Sequence, residues 1–358
     1  MHKISRRQLY FFLACIAPVG KLVILPAHLA QYAGNDLVIP ALLNYLFQTA
    51  LVFCVLLLAK RGMSFYELIA NTLGKVVGKI VMLIFGAFLL YAALLPLLEQ
   101  QIFVQGTFYD TLPSVVAFSP FFVFGAYLCS KPLASQGRVW DILAPVAIVG
   151  ILGVLVFSVM TADFGSLLPI GGSGLKNIAK STAFSISWFY DSALLMLFLG
   201  KFDYEKGTAW KGALLYFIGG LVVLFFLATF YAIFQGTSVN QLFAFTETSK
   251  YFSAITVLGR VDYLFIYALA LVMIFYVALP LQACVECILQ AFGRKEYLPT
   301  LLSVGINLLF ILFMFFFDYR FGEAMRVVSQ TVFWIFPIFT AAVPLLCFLL
   351  RRNRRERS

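Results

Sequence analysis

Charge is what this chain has least of. Only 12% of its 358 residues are Asp, Glu, Lys or Arg, against 62% hydrophobic residues and a mean hydropathy of +0.96. That balance leaves no room for a water-soluble domain and places the chain among polytopic membrane proteins. Histidine is scarce too, with His2 and His28 alone to serve acid–base chemistry. The stretch Gly171-Gly172-Ser173-Gly174 lacks the Gly-Lys-Ser/Thr ending of a phosphate loop. No paired acidic motif stands at a cytoplasmic helix end, as metal-dependent prenyl chemistry needs. These absences point away from an enzyme, and no cofactor is implied. The six cysteines, Cys15, Cys54, Cys129, Cys284, Cys287 and Cys347, are scattered through apolar segments, which suits buried small hydrophobes rather than a disulfide framework. Cys284-Val285-Glu286-Cys287 has the spacing of a redox or metal pair, but no second Cys/His pair accompanies it.

Apolar stretches near twenty residues long fall at about 9–30, 38–58, 80–103, 114–128, 142–160, 182–200, 210–234, 262–283, 298–317 and 327–350. They predict an all-α polytopic membrane protein with ten transmembrane helices. The segment 64–73 reads as a short amphipathic interfacial helix, and 235–259 as a long polar-aromatic connection with helical turns of its own. The first apolar stretch has no small-residue cleavage site after it, so it is read as a retained helix rather than a signal peptide.

The net charge of +10 raises nucleic acid as a partner, but the basic residues sit in short loops and in the tail 351–358, directly after an apolar stretch. That distribution signals membrane orientation first and contact with anionic lipids second, with no nucleic-acid role. With the N-terminus cytoplasmic, nineteen Lys and Arg residues fall inside and six outside, with Lys21 left within the membrane. The asymmetry predicts both termini on the cytoplasmic side.

Ten helices divide into five and five around the Gly/Ser-rich connection 165–174, giving half-repeats at about 9–160 and 182–350 within a single integral membrane domain, 1–358. Because five is odd, the second set enters the membrane with opposite polarity, the arithmetic of an inverted repeat whose central site lies at the first helix of each half. In the first half the breakers are plain. Pro18 leaves the Ala14 carbonyl without its amide, Pro26 does the same to Leu22, and Gly20 between them allows an unwound backbone. In the second half Ser185 and Ser187 offer alternative hydrogen bonds, yet no Gly or Pro lies between Thr182 and Gly200.

Two charges stand at mid-membrane depth in these same segments, Lys21 in the first and Asp191 in the sixth. An unpaired charge at the centre of a spanning helix costs roughly 3 kcal/mol, which makes each a functional-site candidate with a partner to be named. Lys21, Val19, Gly20 and Leu22 at the opened backbone, together with Ser185 and Ser187, form a candidate polar ligand site. Asp191 would hold either the amine of a ligand or Lys21 itself, and the competing reading is a buried ion pair that only fixes helix packing. Glu99 is read either as lining the cavity or its exit, or as an interfacial carboxylate near the outer surface. Tyr267 and Tyr276 offer hydroxyls and Trp188 a closing ring, each with packing as the plainer alternative.

Several strings, in this order and spacing along the chain, resemble the spore germination permease family, the B subunits of nutrient germinant receptors, within the amino acid–polyamine–organocation transporter superfamily. They are Ile4-Ser5-x-x-Gln8-Leu9, Gly20-x-x-x-Ile24-Leu25-Pro26, Leu29-Ala30-x-x-Ala33-Gly34-x-Asp36, Leu73-Gly74-Lys75-x-x-Gly78-Lys79, Arg138-x-x-Asp141-x-x-x-Pro145, Leu167-Leu168-Pro169-Ile170 and Arg260-x-Asp262. The resemblance implies a LeuT-like 5+5 inverted repeat with interrupted first and sixth helices. It also implies a small-molecule germinant such as an amino acid or sugar, and a complex with A- and C-type receptor subunits in the spore inner membrane. The chain departs from the family pattern with Lys21 after the glycine of the first helix, with Ser187-Trp188-Phe189-Tyr190-Asp191 in place of a Pro-Phe-Gly-Glu-like string, and with Asp262 where Glu is common. A receptor subunit that senses a germinant and a proton- or cation-coupled amino acid permease are the two functions these features allow. In the second, the Lys21 ammonium would stand in for a coupling cation.

Overall fold

The computed structural model describes residues 3–108, 113–250, 262–293, 295–317, 331 and 335–355. Those residues form helices throughout, with a single isolated bridge, Ile4 to Phe202, as the one extended pairing among them. Arg260 and the predicted turns at 251–259 lie outside the described residues, as do 327–330 and 332–334 of the last apolar stretch.

The chain enters through α1 (Arg6–Phe11), started by a capping box in which Ser5 and Gln8 satisfy each other's backbone amides. A π-turn, Phe12–Ile16, leads into α2 (Ala17–Val19), and the helix then opens before restarting as α3 (Leu25–Ala33) with a proline in its first turn. Proline fits there because its missing amide is one the first turn cannot use. The interruption predicted from Pro18, Gly20 and Pro26 is therefore present. Gly34, at φ 53°, ends α3.

Next come α4 (Val38–Leu58), the short amphipathic α5 (Phe65–Leu73) capped by Ser64 and Glu67, α6 (Lys75–Phe108), α7 (Ser114–Ser130) and α8 (Leu133–Val159). The sixth apolar stretch starts earlier than predicted, as α9 (Leu175–Phe184). It tightens into a 3-10 turn at Ser185–Trp188, loses helical geometry at Phe189 and Tyr190, and resumes as α10 (Asp191–Met196). Then follow α11 (Thr208–Phe234), α12 (Ala244–Ser249), α13 (Asp262–Phe292), α14 (Leu298–Phe317) and α15 (Val343–Arg355).

Among the described residues, six helices are long and apolar enough to cross a membrane: Val38–Arg61, Lys75–Gln105, Leu133–Val159, Thr208–Asn240, Asp262–Phe292 and Leu298–Phe316. Val116–Ser130 and Ile335–Leu349 are shorter apolar helices. The protein is thus a multi-pass helical membrane protein, its large aliphatic and aromatic side chains both filling the core and covering the outer faces.

Glycines let the central helices approach closely. A Cβ on Gly219 of α11 would lie 2.4 Å from the Ala14 carbonyl oxygen, and one on Gly220 would lie 2.6 Å from the Tyr45 ring. Small residues at such crossings replace the hydrophobic drive that lipid cannot supply. At one end of the bundle, Asp36 accepts from the Gly171 and Ser173 amides and the Ser173 hydroxyl, tying the end of the first helix to the central connection. Burial pushes the Asp36 carboxyl up, but its bonds to Ser173 and Gly171 outweigh that and hold it below its ordinary value.

Candidate functional site

The backbone break after α2 leaves helical carbonyls without amide partners, and Lys21 answers one of them itself. Its own amide turns back to the Pro18 carbonyl at 3.0 Å, so the Ala17 carbonyl loses the donor a continuing helix would give. The Lys21 ammonium supplies it instead at 2.8 Å. A cation at a helix C-terminus is also favoured by the helix dipole. The same ammonium reaches Asp191 Oδ2 at 2.7 Å and lies 5.2 Å from the centre of the Phe189 ring. Asp191 opens α10, at the positive end of that short helix. Its Oδ2 also accepts from the Tyr216 hydroxyl at 2.6 Å, whereas its Oδ1 is buried without a partner. Both charged side chains are 0% exposed. The two breaks therefore face each other across a paired charge.

The second break is held from outside its own segment. Gln48 of α4 donates to the Phe189 carbonyl at 2.6 Å, and its amide oxygen is 3.4 Å from the Ser192 amide. Asn44, one turn earlier, donates to the Thr182 carbonyl and to the Ser185 hydroxyl. Ser185 in turn donates to the Ser181 carbonyl, Ser187 lies 3.4 Å from the Phe184 carbonyl, and Ser192 donates to the Thr340 carbonyl. These polar groups satisfy the backbone that the break exposes.

Val19, Gly20 and Leu22 line the first break and are buried. The ring of Tyr276 covers it so closely that a Cβ on Gly20 would lie 2.2 Å from its Cε1. Tyr267, the other tyrosine singled out on α13, is 58% exposed and does not join the group. Nine residues at 100° per residue put it on the opposite face of the helix from Tyr276. Trp188 donates its indole N–H to Glu99 Oε1 at 2.6 Å and stacks at a tilt on His28, ring centres 4.9 Å apart. Glu99 is fully buried, on a helix, α6, that runs on past it to Phe108.

Sequence reasoning missed Asn44, Gln48 and Tyr216. A signal existed for the first two, since amides four residues apart lie on one face of an otherwise apolar helix. For Tyr216 the hint was Gly219-Gly220 one turn on, which marks the face where α11 meets the first helix. Cys284 and Cys287 are buried free thiols, and among the described residues no cluster of three or more metal-ligating side chains occurs.

Two interrupted helices thus meet at a buried ion pair inside a multi-pass helical bundle. The chain belongs to the spore germination protein family, whose model matches residues 3–321. No curated protein matches it.

Proposed function

We propose that this protein is the membrane-embedded sensing subunit of a spore germinant receptor, and that it binds a small amino acid or sugar-like nutrient at mid-membrane between the first and sixth helices. The observation that carries the reading is the Lys21–Asp191 pair at two facing backbone breaks, with one carboxylate oxygen of Asp191 left open. Discontinuous helices meeting at mid-membrane are the arrangement in which transporter folds build substrate sites. In the resting arrangement Lys21 holds Asp191 and Tyr276 covers Gly20. A ligand hydroxyl or ammonium takes the open oxygen of Asp191, and Tyr276 and Trp188 move aside to admit it. Ser185 and Ser187 shape the second break, and Glu99 borders the site through Trp188.

On this reading the six long apolar helices, the two shorter ones and the two interrupted ones make ten spans in a 5+5 inverted repeat with both termini cytoplasmic. The subunit works with A- and C-type receptor subunits in the spore inner membrane, its basic tail against anionic lipid. Reporter fusions after Lys131 and after Ser358 are expected to report the cytoplasmic side, and an external signal from either would overturn the repeat. Spores lacking the protein are expected to lose the response to one nutrient class while answering others. If growing cells instead lost amino acid uptake and the spores germinated normally, a cation-coupled permease would replace the sensing role, with Lys21 in the cation's place.

A further inference from the structure

The fold buries Glu99 on different terms from Asp191. Asp191 has a cation and a tyrosine hydroxyl on one oxygen. Glu99 has neither: Trp188 donates to Oε1, Oε2 is buried with no partner, and none of the ion pairs among the described residues includes it. Its neighbour in the chain, Gln100, is also buried, with both side-chain amide atoms unpartnered. The titratable groups around Glu99 come from three other elements. They are Tyr190 at the break before α10, Tyr276 of α13, and, packed on the Trp188 ring, His28 of α3 with its Nε2 unpartnered. None of these is a fixed cation. Lys21, the cation buried at the first break, is already committed to Asp191 and the Ala17 carbonyl.

With no counter-charge among the described residues, a carboxylate sealed in a membrane bundle carries a desolvation penalty that a proton removes. We infer that Glu99 is a proton-binding site, a neutral carboxylic acid in the closed arrangement, with the proton on Oε2 and Oε1 accepting from Trp188. Asp191 and Glu99 thereby divide the work, Asp191 as the standing partner of Lys21 and Glu99 as the group that gains and loses a proton. When Trp188 moves and water reaches the carboxyl, the O–H bond breaks, its electron pair stays on Oε2, and the proton leaves to that water. The new charge is felt where it matters for the central site. Tyr190 and Tyr276, with ring centres 6.3 Å apart, lie within electrostatic range of both Glu99 and Asp191, and Tyr276 is the ring that covers Gly20. Protonation of Glu99 is in this way linked to the opening of the first-helix break.

The inference stands apart from the ligand reading, and its test needs no ligand. The full chain in phosphatidylglycerol-containing vesicles is expected to show, at neutral pH, the infrared carbonyl-stretch band of a buried neutral carboxylic acid. The band should shift when the glutamate carboxyls are isotopically labelled. It should vanish in Glu99→Gln, which keeps the side chain's shape and its acceptor for Trp188. It should persist at an altered frequency in Trp188→Phe, which removes the N–H donor and leaves the acid. A band that survives Glu99→Gln, or a labelled wild-type protein with no neutral-acid band at neutral pH, would overturn the assignment. The isotope measurement on the unmutated chain keeps the test decisive even if the Gln variant is poorly folded.

Discussion

Lys21→Met and Asp191→Asn are each expected to cut the amount of folded protein in the membrane sharply, while the double variant recovers most of it. Each single change strands one charge in a site with no solvent exposure, a penalty of roughly 3–5 kcal/mol. Removing both charges relieves that penalty and leaves a smaller loss, because the Ala17 carbonyl still lacks the donor that Lys21 gave it. Tyr216 keeps an acceptor when Asp191 becomes Asn, so the Asp191→Asn effect reports charge rather than a lost hydroxyl partner. Quantitative blotting of purified membranes reads the pairwise term directly. Losses that simply add would dismiss the pairing. The germination response of spores carrying the double variant separates packing from binding: the recovered protein is expected to be unresponsive, and a normal response would remove both residues from the ligand site.

The first break was legible in the sequence because its causes are local. Pro18 and Pro26 remove amides and Gly20 permits the turn, whatever surrounds them. The second break was only faintly legible because its causes are not local. Phe189 and Tyr190 leave helical geometry without a glycine or proline, and what stabilises them is the Gln48 amide reaching in from α4. Such a contact cannot be read from the segment it acts on. Lys21 and Asp191 stood out because charge is so rare in an apolar background, and the same rarity made each a candidate partner for the other, alongside a ligand amine for Asp191. Glu99 was visible as a carboxylate but not as a buried one, since burial depends on how far α6 extends and on where Trp188 lands. Tyr267 and Tyr276 were equal as residue types, and only the rotation of α13 distinguished them.

Gly219→Ala is expected to be strongly destabilising, more so than the same change at the neighbouring glycine. At Gly219 the new Cβ would meet the Ala14 carbonyl oxygen at 2.4 Å and Pro18 Cγ at 2.8 Å. Neither obstacle is the free end of a flexible side chain, so α11 and the first helix must separate. Overpacking of this kind costs about 1–3 kcal/mol or more, and here the displaced backbone is the stretch that ends at the first break. Tyr216 lies on the same face one turn away and bonds Asp191, so the separation also pulls at the ion pair. Gly220→Ala meets the Tyr45 ring instead, at 2.6 Å. That ring packs against Phe189 and Tyr216, and it can tilt where a backbone carbonyl cannot, so a smaller loss is expected. Gly236→Ala, with nothing within 4 Å of the new Cβ, serves as the neutral reference. Thermal unfolding of the three purified variants should rank Gly219→Ala lowest, then Gly220→Ala, then Gly236→Ala. A Gly219→Ala protein as stable as the Gly236→Ala reference would mean that the close crossing of α11 over the first helix does not set the position of Lys21 against Asp191.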